Sequence, residues 1–530
     1  MKKYNRYIKS AFTFVFFSLL LNSCSEDTMD KINNNDNNPL EVPAEFLIAD
    51  LQTSTAFSVV GGDFSTYASV YVEHEAGVHN QMYNAETRTG EPSSLSTYNN
   101  PWEAVYRNIR SAKVIIKNCS PEGKEPRNKM ALGIAKVLLA YNAAIATDLF
   151  GDVPYFQAGE INNLGIPVYF TPKVDKQEDI YKDILKNIDE AIAILNSNEA
   201  ISTHIGSADL YYDNNGENKT RWIKAAYGLK ARYTMRLLGK SKNQAADLAN
   251  IIEYANQSFT SAADELKYSA YNGGSQNNPL ARFSQSRSAL GASKSYVNKM
   301  TERNDPRLTS LFVDQKTKKV VADIAKLYPA PNGSPTQLQT EYDFAITNYS
   351  YAGPTQLLSY HELMFIKAEA YARQNNLTAS EEALKLGINA AFTSLEKASA
   401  SVQITANKGS ENEGTINYTV SIPESIRNAY FTENVKPLFD ANPLKEVVIQ
   451  KYLAFMGASG ESVEAYNDYR RLNSLDKSLI VLENPLNTTS FPLRYTYGDS
   501  DDSANPNIHE LTGNGTYVYT ENVWWAGGTR

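Results

Sequence analysis

The chain has 530 residues, 42% of them hydrophobic and 21% charged, enough to bury one large core or two. A formal charge of −8 and the lack of any long basic run exclude nucleic acid as a partner. Tyrosine outnumbers phenylalanine, 34 to 20, and Asn, Ser and Gly are frequent, a composition suited to wet surfaces that meet polar ligands.

Residues 1–23 read as a lipoprotein signal peptide. Lys2, Lys3, Arg6 and Lys9 form a positive start, and Ala11 to Leu21 form an apolar run too short to span a bilayer. Leu21-Asn22-Ser23-Cys24 reads as a lipobox with an unusual Asn at its second position, which makes Cys24 the expected site of lipidation. Cleavage there leaves 47 basic against 59 acidic residues, a formal −12. The other cysteine, Cys119, sits beside Ile115 and Ile116 and is expected to be buried and unpaired. Ser25-Glu26-Asp27 resembles the acidic tag that sends lipoproteins to the cell surface. Residues 24–42 are the expected lipidated tether, since KINNNDNNP at 31–39 has nothing to pack after Ile32. Residues 43–530 are then a single folded body.

In the body, Phe46, Leu47 and Leu51 open a first helix, and residues 58–99 give mixed, loop-like signals. Asn100-Pro101-Trp102-Glu103 predicts a capping box, followed at helical spacing by Val105, Tyr106, Ile109, Ala112 and Ile116. The stretch 128–149 is almost free of charge and Ala-rich, with Asp148 in its last turn and Gly151 as its stop. It predicts a central buried helix, antiparallel to the preceding one. Helical hairpins recur at Asp175-x-x-Glu178, 220–238, 243–258, Ser359-x-x-Glu362, Thr378-x-x-Glu381, 444–456 and 462–472. The predicted fold is mainly α: a tetratricopeptide-like superhelix of helical hairpins with a loop-rich insertion at 260–358 and minor β-hairpins. The clearest of those hairpins is at 401–421, and the tail from Ser474 shows little helical signal.

Several motifs, in order, carry a resemblance. Asp148-Leu-Phe-Gly-Asp-Val-Pro-Tyr155, Asn304-Asp-Pro-Arg-Leu308, Tyr360-His-Glu-Leu-Met-Phe-Ile-Lys-Ala-Glu-Ala-Tyr371, Tyr466-x-x-x-Arg470-Arg471 and the closing Val523-Trp-Trp525 resemble those of the SusD/RagB-like family. His361 replaces a residue usually small there. The resemblance implies a lipid-anchored, surface-exposed outer-membrane protein that binds nutrient and acts as the lid of a SusC-like TonB-dependent transporter. It also implies a ligand held by loops outside the repeats.

The motifs of enzymes are missing. Tyr360-His361-Glu362 lacks the second histidine of a zincin, and Glu362 reads as a helix cap. Glu73-His74-Glu75 with His79 is poorly spaced for a metal, and Asp499, Asp501 and Asp502 lack the pattern of a calcium loop. No nucleophile elbow, phosphate loop or dinucleotide fingerprint occurs, so no catalytic residue, cofactor or metal is expected. Aromatic loop residues remain, because sugar rings stack on Tyr and Trp while Asn, Asp and Arg meet their hydroxyls. The expected ligand contacts are Tyr83 and Tyr98 in the first loop segment and Tyr271, Asn272, Tyr296 and Tyr351 in the second, with Trp102 and Trp222 as core. An oligosaccharide is the expected ligand; a peptide, a surface glycan hydrolase and a pure scaffold are the alternatives.

Overall fold

The computed structural model describes residues 42–530 except 163–164, 202–204, 213–217, 401, 407–413 and 457–459. The signal peptide, Cys24 and nearly all of the tether lie outside the described residues. Ala44–Arg530 forms one compact unit.

Its long helices, in chain order, are α1 (Ala44–Ser54), α2 (Asn99–Cys119), α3 (Lys129–Phe150), α4 (Gln177–Asn196), α5 (Asn218–Arg236), α6 (Gln244–Asn256), α7 (Tyr360–Arg373), α8 (Leu377–Ser399), α9 (Pro443–Ala454) and α10 (Glu461–Asn473). Consecutive helices pack as hairpins, α2 on α3, α3 on α4, α5 on α6 and α7 on α8. At the centre, every residue of α3 from Met130 to Phe150 except Lys136 is buried. The helix is long and apolar enough to cross a membrane, but 94% of its apolar window is enclosed by the body. Gly133 lets α4 approach, since a Cβ there would meet the Leu195 side chain at 2.6 Å. Gly151, at φ 79°, stops the helix and donates its N–H to Thr147 O. Trp102, Trp222 and Cys119 are core residues, as their helical faces predict.

Several predicted caps differ. At the start of α2 the Asn99 amide donates to Glu103 Oε1 (3.1 Å), no side chain caps the helix, and Asn100 is inside it. Asp175 accepts the backbone N–H groups of Tyr155 and Phe156 (2.8 Å each), so Asp152 instead takes the Gln177 N–H. Asn376, not Thr378, caps α8. Ser359 caps α7 as predicted, while the Glu362 carboxylate turns away to Arg232. For Asp175 and Glu362 a tertiary partner outbid the local one for the same side chain.

The 58–99 segment is far more helical than its composition predicts. Asp63–Tyr71 is a helix whose residues from Phe64 onward are all buried. Its hydroxyls are spent on nearby carbonyls, Ser69 on Thr66 O (2.9 Å) and Ser65 on Val60 O, so polar residues enter the core without loss. The predicted 401–421 hairpin is present as Val402–Ala406 against Gly414–Tyr418, with Ile404 opposite Ile416. The tail carries short helices and buries Tyr495, Tyr497 and Trp525.

Candidate binding surface

The motif residues meet in the helical core, away from solvent. Asp148 accepts Arg236 Nη1 and Trp525 Nε1 (both 2.8 Å) and the Tyr181 hydroxyl. Arg470 donates to Asp148 O (2.7 Å) and lies 4.1 Å over the Tyr466 ring and 4.9 Å over Trp525. Arg236 also pairs with Glu464, and Arg232 holds Glu362 through two nitrogens. Arg307 pairs with Asp305 and donates to Leu453 O (2.9 Å). These charges are buried and engaged with one another or with backbone carbonyls, so the motifs build the scaffold. His361 is equally buried and bonded to Glu461.

One pair in this network sets a pH dependence. Arg471 donates to both oxygens of Glu369 (2.7 and 2.8 Å). Burial alone raises the Glu369 pKa, but the Arg471 and Arg373 guanidiniums outweigh it and hold the carboxyl at about 2. A depressed carboxyl stabilises the fold fully above the unfolded Glu value of about 4.3 and loses that contribution as pH falls toward 2. Unfolding free energy is predicted to fall between pH 5 and 2.5, this group supplying on the order of 3 kcal/mol. Glu369→Gln should flatten that acid limb; an unchanged limb contradicts the assignment.

The loop segments meet outside the helices. The strand Glu75–Gly77 pairs antiparallel with Leu290–Ala292, placing Ala76 opposite Gly291. The Glu86 carboxylate ties both sides, accepting Gly77 N–H (3.1 Å) and Gly333 N–H (2.6 Å). Tyr83 donates its hydroxyl to Pro335 O (2.9 Å). Ala76, Val78, Ala330 and Tyr342 form a small core of their own beneath this junction. On it stands Tyr328, 51% exposed, its ring 5.2 Å from Tyr342 and its N–H held by Asp343 (2.7 Å). Burial pushes Glu86 up to about 7, against the pull of Arg88 and the two amides, and pushes Asp343 up to about 6. The arrangement presents a fixed, half-exposed aromatic ring on a rigid backbone. Tyr328 was not anticipated; the turn-rich Leu327-Tyr-Pro-Ala-Pro-Asn-Gly333 around it was the available signal.

The anticipated residues divide. Tyr83 is at the junction and partly exposed. Tyr98 and Tyr296 are core residues, 0% and 1% exposed. Tyr98 stacks on Tyr495 at 4.0 Å and shares its hydroxyl with Tyr71, while Tyr296 donates to Leu453 O (2.7 Å), so neither ring has a face for a ligand. Tyr271, 6% exposed, packs on Tyr268 and bonds Thr355. Asn272 is exposed but its oxygen accepts Gly274 and Gln276 N–H, closing its own turn. Tyr351 is partly exposed and accepts Asn278 N–H through its carbonyl.

The metal candidate is explained by burial. His74 is fully buried, which lowers its pKa to about 3, and its Nε2 donates to Tyr452 O. Among the described residues no group of His, Cys, Asp and Glu is placed to hold a metal. Two clefts open on the helical body: one of about 410 Å³ beside Lys113, Tyr155 and Asp183, and one of about 750 Å³ beside Tyr211, Glu265 and Lys267. In the first, Lys136 and Lys186 are paired with Glu190; in the second, Lys267 is paired with Glu265.

The fold is a helical-repeat scaffold of hairpins carrying a separate loop junction. The family described as starch-binding and associating with the outer membrane matches residues 36–498, and the chain belongs to this SusD-like family of nutrient-binding outer-membrane proteins. A SusD/RagB family protein from Bacteroides thetaiotaomicron is 43% identical, with TM-score 0.83 over 92% of this chain and 100% of that one. A chitin-binding protein (20% identity, TM-score 0.66, 91% and 99% coverage) and a SusD homologue from Bacteroides fragilis (19%, 0.66, 92% and 100%) share the fold. No curated protein sequence matches the chain.

Proposed function

We infer that this chain is a cell-surface lipoprotein, anchored through acylated Cys24, that captures oligosaccharide at the loop junction. It would deliver the cargo to a SusC-like TonB-dependent transporter that it covers as a lid. The observation that carries the binding role is Tyr328, a half-exposed ring fixed by Tyr342 and Asp343 on the same loop segment whose Pro335 accepts the Tyr83 hydroxyl. A sugar ring's C–H face can stack there, and an open surface lets the cargo leave again. The family description and the chitin-binding neighbour support a glycan. A binding role also suits the junction's acids: Glu86 and Asp343 are buried and engaged with backbone amides, so they do not form an accessible acid–base pair.

A glycan and peptide array probed with the full chain carrying Cys24→Ala tests the reading. Glycan binding without turnover is expected; peptide binding alone, or hydrolysis of a glycan, overturns it. The anchor is tested separately. Wild type should incorporate radiolabelled palmitate and fractionate with membranes, since more than one acyl chain anchors firmly. Cys24→Ala should be unlabelled and largely soluble, and an unlabelled wild type contradicts the anchor.

A further inference from the structure

Between α3 and α4, residues 156–162 and 165–173 form a strap laid along α2. Asn162 N–H donates to Ile166 O and Val168 N–H to Glu160 O (2.9 Å each), closing a small antiparallel ladder. Three cations of α2 grip its backbone from below. Arg110 donates to Gly165 O (3.2 Å), Lys117 to Ile161 O (3.1 Å), and Lys113 to the carbonyls of Tyr155, Phe156 and Ala158 (2.7–3.0 Å). Asn507 holds the far end at Thr171 O (3.2 Å).

The side chains on this fixed backbone face out. Phe156, Ile166, Val168 and Tyr169 are 44–49% exposed and Phe170 is 77% exposed. From Ile161 to Pro172 the sequence has no charged residue. Scattered exposed apolar side chains are ordinary, but several on one ordered segment mark an interaction surface. Its lack of charge means that it can leave water without stranding an ion.

The chain itself indicates what covers the strap. Ala44 N–H, at the entrance to the body, donates to Glu125 Oε1 (2.9 Å), and Glu125 N–H donates to Asn118 O (2.8 Å). Asn118 follows Lys117, whose ammonium holds the strap. The tether therefore joins the body at the C-terminal end of α2, the end whose Lys117 holds Ile161 of the strap, and Phe46, 59% exposed in the first turn of α1, stands at that same entrance. Residues 33–38 of the tether are Asn and Asp only, with no apolar side chain to offer the strap.

We propose that the strap, led by Phe170, docks on the lipid surface of the membrane to which the tether is anchored. This rests on the acylated-Cys24 reading. The strap alone binds weakly, and the tether makes its contact intramolecular, at an effective concentration near millimolar.

The test uses the full chain with Cys24→Ala, so that no acyl chain contributes, and vesicles of mixed phosphatidylcholine and phosphatidylglycerol. Flotation should show measurable partition at millimolar lipid, and Phe170→Ser should reduce it roughly tenfold or more while leaving the melting temperature unchanged. Equal partition of the two proteins, or none by either, overturns the proposal. So does sedimentation showing a dimer that Phe170→Ser dissociates, which assigns the patch to a second copy. Binding to detergent-purified transporter that Phe170→Ser abolishes, without vesicle partition, likewise assigns it to protein. Palmitate labelling of wild type keeps the two readings apart: no label with partition retained removes the anchor and keeps the strap.

Discussion

Leu138→Asp is expected to abolish folding. Leu138 is 0% exposed at the middle of α3, with buried residues on every side of the helix. Only the Lys136 side of α3 reaches a cleft, and Leu138 does not line it, so the new carboxylate must be buried without a partner. That costs several kcal/mol, comparable with the whole stability of many domains. Circular dichroism and gel filtration of the variant should show aggregated or unfolded protein. A soluble variant melting within a few degrees of wild type contradicts the packing described for α3.

Arg236→Met should have the next largest effect. Arg236 is 2% exposed and neutralises Asp148 and Glu464 at once, with its guanidinium 5.1 Å over Trp525. Methionine keeps part of the volume and removes the charge. Both carboxylates remain buried, Asp148 with only its neutral Tyr181, Trp525 and Asn467 donors and the Arg470 charge nearby. Breaking one side of a buried pair costs about 3–5 kcal/mol. Adding Glu464→Gln should recover part of that loss, because without Arg236 the Glu464 charge is left with Arg232 at 3.7 Å and the more distant Lys451. Urea denaturation of the two variants measures both terms, and a loss below about 1 kcal/mol for Arg236→Met contradicts the network.

Asp148 illustrates what was legible beforehand. Its place at the end of an uncharged helix, before Gly151, was plain from spacing, and α3 was predicted nearly to the residue. Its partners were not, because Arg236, Arg470 and Trp525 are far off in sequence and nothing local selects them. The same long-range selection explains Asp175, which looked like a cap until Tyr155 and Phe156 took its oxygen. It also explains Glu362, drawn away from its own helix start by Arg232.

Sequence says least about where a tyrosine lies. A Tyr can stand in a wet loop or in a core if its hydroxyl finds an acceptor. Tyr296 finds Leu453 O and Tyr98 finds Tyr71, neither readable from composition. Composition marked the 260–358 segment as loop-rich and correctly set it apart from the repeats. It did not distinguish the rings turned inward from Tyr328, which is turned out.

Calorimetry of the glycan identified by the array, on Tyr328→Ala and Tyr83→Ala, tests the loop junction most directly. A stacking aromatic is worth roughly 1 to 3 kcal/mol by analogy with base stacking, so Tyr328→Ala should weaken binding about five- to a hundredfold. Its melting temperature should stay at the wild-type value, whereas Tyr98→Ala, emptying a core position, should lower it. If Tyr328→Ala and Tyr83→Ala both bind like wild type, the ligand is held elsewhere and the junction is not the site.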